Sequence, residues 1–279
     1  MFLSISENTE ESFTQAQTPV KYNLPVCVTL RKQLNITKSW NENLTITSCI
    51  KIGNTLVFTD YSNKRLIICN SDGSDIDHIP LSYPPVYITE IDSNTVAVSC
   101  IVSTILIINI STRSVTSTIN TRGYCSGISY NDNNLYVVIG KSIIHVMNLK
   151  GKVTRTIPAP SDFIYDITVD RDRLISIDGT SIYCCSLDGK LMWTFEKDKI
   201  QDLRRVTTDD EGNVYGIDTR THTVIVVSDD GKQYRKLLTK SDGLDKPDGI
   251  YYDKKANILL VCNKGNGKAF LFDVKKNKK

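Results

Sequence analysis

Long apolar runs are missing from this chain: nothing in its 279 residues approaches the roughly 18 consecutive apolar residues of a membrane-spanning helix, so no membrane contact is expected. No stretch carries the 3.6-residue apolar stripe of an amphipathic helix. None of the eight cysteines forms a Cys-x-x-Cys pair, which leaves no zinc finger or RING legible. Most of them lie inside apolar strand-like runs and read as buried thiols. The start, Met1-Phe2-Leu3-Ser4-Ile5-Ser6, lacks both the basic and the long apolar segment of a secretory leader, so a cytoplasmic setting with reduced thiols is expected. An excess of one charge is absent too. The 34 Lys and Arg oppose 31 Asp and Glu, and Lys275, Lys276, Lys278 and Lys279 leave residues 1–274 at a net −1. A globally basic nucleic-acid binder is therefore not indicated, although a local basic patch is compatible with these numbers.

What the chain does contain is a repeat. A small or polar turn followed by an apolar strand recurs as Asn54–Asp60, Asn94–Cys100, Asn133–Ile139, Asp172–Asp178, Gly212–Asp218 and Ala256–Cys262. The apolar third positions are Leu56, Val96, Leu135, Leu174, Val214 and Ile258, at steps of 40, 39, 39, 40 and 44. A second apolar strand follows each copy. A tight turn comes next, carrying Gly73, Gly151, Gly189 or Gly231 where positive φ is needed. The second copy has Thr112-Arg113 there instead. With one strand before and one after, each unit of about 40 residues holds four antiparallel strands, the pattern of a propeller blade.

The fold expected is all-β: a six-bladed β-propeller with four antiparallel strands per blade. The sixth copy ends without a fourth strand, and an open edge there would invite aggregation. The strand-like segment Val26–Thr37 can supply the missing strand and close the ring. The expected layout is a disordered segment over 1–20 and a propeller over 21–275. Within it come a closing strand in 21–43 and blades at about 44–82, 83–122, 123–160, 161–199, 200–243 and 244–275. A basic tail over 276–279 completes the chain.

Gly212–Asp218 followed by Val224–Gly231 resembles the NHL repeat. Leu237–Pro247 with Leu259–Gly265 resembles the carboxy-terminal propeller of tripartite-motif and B-box proteins, particularly the set in bivalve molluscs. The resemblance covers roughly residues 20–275 and is closest in the last three blades; blade two lacks the strand-end Asp and the Asp-Gly turn. It implies a module that recognises a substrate protein or an RNA. Such proteins carry a RING, B-boxes and a coiled coil ahead of the propeller. None is present here, so ubiquitin-ligase chemistry is not expected within this chain.

Propellers also host enzymes, so the fold does not decide the function. A hard cation needs several converging oxygen ligands. The repeat places two candidate rings at the mouth of the central channel: Thr47, Tyr87, Ser126, Tyr165, Arg204 and Asp248, or Ser48, Ile88, Gly127, Asp166, Arg205 and Gly249. Each holds one carboxylate and one arginine, which does not read as a divalent-cation cage. His78, His145 and His222 fall in different blades. No nucleophile elbow, phosphate loop or dinucleotide fingerprint is present, so neither catalytic residue, metal nor cofactor is expected. The strand-end acids Asp60, Asp178 and Asp218 read as bonding nearby turn amides rather than as a carboxylate set.

The face that carries the turns between second and third strands, with the connections between blades, collects basic and aromatic side chains. Tyr61, Arg65, Tyr124, Lys141, Phe163, Tyr165, Arg204, Arg220 and Lys264 are the expected binding residues. Basic residues beside aromatics suit single-stranded RNA and suit a protein partner equally. Acids on the same face, Asp162, Asp198, Asp202, Asp242 and Asp245, weaken the field a nucleic acid would feel. The reading favoured is non-catalytic recognition of a protein partner. An RNA-binding domain is the alternative, and a metal-dependent lactonase- or lyase-type propeller a second.

Overall fold

The computed structural model describes residues 24–37 and 43–276. The segment expected to be disordered lies outside these residues, as does the tail beyond Lys276. Among the described residues, twenty-four strands form six four-stranded antiparallel sheets. The closing strand is β1 (Val26–Asn35). Blade one holds β2 (Ile46–Ile52), β3 (Thr55–Asp60), β4 (Arg65–Asn70) and β5 (Asp77–Pro80). Blade two holds β6 (Pro85–Glu90), β7 (Thr95–Cys100), β8 (Thr104–Asn109) and β9 (Ser114–Asn120). Blade three holds β10 (Cys125–Asn131), β11 (Asn134–Ile139), β12 (Ile143–Met147) and β13 (Val153–Pro158). Blade four holds β14 (Asp166–Asp170), β15 (Arg173–Ile177), β16 (Ser181–Ser186) and β17 (Leu191–Glu196). Blade five holds β18 (Leu203–Thr208), β19 (Val214–Asp218), β20 (Thr223–Val227) and β21 (Tyr234–Leu238). Blade six holds β22 (Pro247–Asp253), β23 (Ile258–Asn263) and β24 (Lys268–Lys276), with β1 paired to β24 as its outer strand. The first strands of the six blades neighbour one another in cyclic order, β22 returning to β2, so the ring is closed around an axis.

The second and third strands are buried on both faces, which is why they read as continuous apolar runs rather than alternating ones. Six apolar clusters fill the gaps between neighbouring blades. Outer strands mostly face solvent and hold on by isolated anchors: Ile79, Ile119, Ile157, Phe195, Leu238 and, on the closing strand, Leu34. The hairpin glycines have two reasons to be glycine. Gly151 takes φ +79°, and a Cβ there would meet Ile119 of the preceding blade at 2.6 Å. Blade two manages without one: Arg113 adopts φ +58°, and the Asn109 side chain accepts the Ser111 and Thr112 amides.

The sixth repeat is one residue out of phase with the spacing read from sequence. Leu259, not Ile258, shares a cluster with the blade-five core, while Ile258 faces blade one alongside Leu56. The β22–β23 connection absorbs the extra residue: six residues separate the paired Tyr252 and Leu259, against five between the equivalent Thr208 and Val214. This shift puts Asn263 where other blades carry a strand-end acid. Asp60 accepts the Thr45 amide at 3.2 Å, Asp218 the Gln201 amide at 3.0 Å and Asn263 the Asp245 amide at 2.9 Å, while Asp178 takes the Ser161 hydroxyl at 3.1 Å. Each clasps the end of a second strand to the connection that enters its own blade. Lys276, which the sequence assigns to the basic tail, instead ends β24 and pairs with Asp209 at 3.4 Å.

Ring closure should dominate stability. Leu34→Ala, which removes a buried anchor of the closing strand, is expected to cost roughly 2–5 kcal/mol. Asp218→Ala, which orphans the amides it accepts, should cost about 1–3 kcal/mol. Urea unfolding monitored by circular dichroism measures both.

Candidate functional site

The first strands enter from the top face, and most carry a bulge there that turns one extra residue inward. Register shifts fall between Ile46 and Ser48, Pro85 and Tyr87, Cys125 and Ile128, Leu203 and Arg205, and Pro247 and Gly249. β14 pairs without one. The bulges merge the two rings drawn from sequence. By register, Ser48, Tyr87, Gly127, Asp166, Arg205 and Gly249 share one level, and the bulge residues Thr47 and Asp248 come in beside them. Tyr87, not Ile88, belongs to this level because Pro85 is already opposite Cys100.

Arg205 lies at its centre. Its guanidinium stacks on the Tyr87 ring at 4.0 Å, donates to the Thr47 and Arg204 carbonyls and lies 3.5 Å from Asp248. Asp166 accepts the Val206 amide at 3.1 Å from the next blade and the Ile167 amide at 2.9 Å from its own. Burial pushes the Asp166 carboxyl up to about 7 against the pull of Arg205 and these amides. Burial likewise raises Asp248, opposed by Arg205 and by Lys264 at 3.2 Å. Two carboxylates therefore share the axis, one more than either sequence-drawn ring held, and a fixed cation already stands between them. Among the described residues no three His, Cys, Asp or Glu side chains gather as a metal site.

The nine expected binding residues separate into groups. Tyr61 and Tyr124 are neighbours: burial first, then the Tyr61 phenol, raises the Tyr124 phenol. Lys141 stands 5.3 Å from the Phe163 ring centroid and 5.5 Å from that of Tyr165, and Arg204 lies over Tyr165 at 5.1 Å. Lys141 is held in place by its turn, since the Lys141 carbonyl accepts the Ile164 amide and Gly140 donates to Tyr124. Arg204 also pairs with Asp202 at 2.7 Å. These six make an arc across the tops of blades one, three, four and five. The other three do not join it. Arg65 is folded against Asp60 at 2.9 Å with only 14% of its side chain exposed, so it braces its own turn. Lys264 belongs to the axial cluster through Asp248. Arg220 is exposed on the β19–β20 turn and makes no hydrogen bond, ion pair or ring contact with the other eight.

Sequence reasoning passed over Val102, which is 48% exposed on the β7–β8 turn of the same face. Its signal was the apolar residue in a turn where other copies place polar ones. His78, on β5, and His145, on β12, lie on separate blades, while His222 accepts the Lys246 amide. Among the described residues no helix is long and apolar enough to cross a membrane.

No protein-family model matches the sequence, and no curated protein matches it. Solved structures do. Virginiamycin B lyase from Staphylococcus aureus superposes with a TM-score of 0.65 over 89% of this chain and 99% of that one, at 13% identity. At that identity the likeness establishes the architecture, a six-bladed propeller, and nothing of the chemistry.

Two outcomes follow for the axis. Arg205→Ala leaves buried carboxyls without their counter-charge and should cost roughly 3–5 kcal/mol. Asp166 holds its proton in the folded chain where an ordinary carboxyl, near 3.9, has lost it, so it favours folding at low pH and this contribution fades as pH rises from about 4 to about 7. Asp166→Asn keeps an acceptor for the Val206 amide but no longer titrates. The stability of the wild type minus that of Asp166→Asn should therefore fall across that window and level off above it, read by calorimetry at stepped pH.

Proposed function

We propose that this chain is a non-catalytic recognition module that binds a protein partner through the arc Tyr61, Tyr124, Lys141, Phe163, Tyr165 and Arg204. One observation carries the reading. Among the described residues, the large hydrophobic side chains left exposed on loops are Tyr83, Val102, Tyr124 and Phe163, and all four lie on the top face. Apolar side chains that a monomer leaves in water on one face, rimmed by cations, mark a surface that something else covers. The loops hold their positions because the ring does: a rigid scaffold presents them in one arrangement. The NHL-like residues of the last three blades fit the same use, the substrate-holding arm of a tripartite-motif type of protein, acting in the cytoplasm.

A protein suits this surface better than RNA. Exposed Asp162, Asp198, Asp242 and Asp245 share the face, and Arg65 and Lys264 are already paired with Asp60 and Asp248. A lyase-like role rests on likeness of architecture alone, and no observation of the axial cluster adds to it.

The variant Tyr124→Ala/Lys141→Glu/Phe163→Ala tests the arc. Affinity capture followed by mass spectrometry should return a protein with the wild type that the triple variant loses, at an unchanged melting temperature. An identical capture profile rejects the arc. Tight, steeply salt-dependent retention of a random RNA pool would hand the same face to nucleic acid.

A further inference from the structure

The opposite face opens into a funnel of about 820 Å³, and its floor is a ring of hydroxyls. Two residues beyond the axial level, the first strands present Ile50, Thr89, Ser129, Thr168, Thr207 and Tyr251, so five of six positions bear an O–H. Part of this ring is structural. The Thr89 oxygen accepts the Tyr130 amide at 3.1 Å, Ser129 the Val169 amide at 3.0 Å and Thr207 the Tyr252 amide at 3.2 Å, each from the next blade. A hydroxyl that accepts in this way still has its own proton to donate. The three protons find no acceptor within the described chain. Thr168 makes no side-chain hydrogen bond there at all, and it lines the funnel.

The walls determine what charge the funnel can accept. Lys51, Lys254 and Lys255 are matched by Glu90, Asp132 and Asp253, so the lining is electrically balanced. The principal cations are already engaged, Lys51 with Asp253 and Lys254 with Asp170, both at 2.6 Å. Tyr130 and Tyr251 supply aromatic walls, and Tyr251 donates to Glu90 at 2.9 Å. A free anion finds no unpaired charge on the floor, and an apolar ligand would bury hydroxyls without partners. A neutral ligand rich in its own hydroxyls meets both demands, with its C–H faces against the tyrosines.

We propose that the funnel on the bottom face is a binding site for a neutral carbohydrate of about two sugar units. Thr89, Ser129, Thr168 and Thr207 donate to its oxygens, and the rim carboxylate of Asp132 accepts from its hydroxyls. The site lies on the face opposite the Tyr124–Phe163 arc and depends on no part of that reading.

Saturation-transfer NMR on the whole chain, with maltose, cellobiose, lactose, mannobiose and diacetylchitobiose as probes, tests the site. At least one should bind. Thr168→Tyr, which fills the floor, should weaken that sugar by about tenfold or more in calorimetric titration. Should Thr168→Tyr misfold, Ser93→Trp on the exposed rim loop closes the mouth and should do the same. The triple variant of the top arc should bind the sugar as the wild type does. Silence from all five sugars overturns the proposal, as does equal affinity in a folded funnel variant. So does binding of inorganic phosphate or citrate in place of the sugars.

Discussion

The pairing of β1 with β24 is the contact on which the rest of the molecule depends. Its register runs from Val26 opposite Lys276 to Asn35 opposite Lys268, with one irregularity between Leu30 and Lys32. It supplies blade six with its outer strand and removes an open edge. It also seals two inter-blade clusters, since Val26 packs with the blade-five and blade-six core and Leu34 with that of blades six and one. In a repeat array each unit is stable only through its neighbours, so joining the ends converts six marginal sheets into one cooperative body. Both proposed binding surfaces are assembled from several blades and keep their geometry only while that seam is closed.

Closure brings six first strands edge-on to a common axis, where their backbone groups need partners. The molecule meets this with side chains. Hydroxyls of Thr89, Ser129 and Thr207, and the carboxylate of Asp166, accept amides one blade along, about one repeat away in sequence. At the top, Arg205 binds to blades one, two and six at once. The polar axis is thus a consequence of the ring geometry, and the raised Asp166 and Asp248 carboxyls are its electrostatic cost. Removing one partner there leaves buried charge, which is far worse than never having placed it.

The two faces differ in how they treat exposed groups. On the top, aromatic and apolar side chains stand out on loops that hydrogen-bonded turns hold still, as the Lys141 turn does between Tyr124 and Ile164. On the bottom, charges are paired off and hydroxyls converge in a concavity. A partly apolar surface of exposed loops suits a macromolecule, whereas a balanced hydroxyl-lined funnel suits a small polar one.

Blade count, strand count and the borrowed closing strand were legible because burial on both faces of each sheet imposes the same apolar run every 40 residues or so, and the chain cannot avoid writing that spacing down. The strand-end acids were legible as acceptors of nearby turn amides, because a short acceptor at a strand end acts locally, whereas their bonds to the connection entering each blade needed the folded hairpin. Phase was not. Whether Ile258 or Leu259 begins the sixth repeat depends on which neighbour each side chain faces, and a single added turn residue reverses that. The bulges hid the axial residues in a similar way, since an extra residue in one strand changes which side chain points inward without altering the apolar pattern. Arg65 and Lys264 looked as available as Lys141 in one dimension. Strand pairing within a blade brought Asp60 and Asp248 to the first two, and the packing of blade three against blade four brought aromatic rings to the third, contacts that no apolar spacing along the chain records.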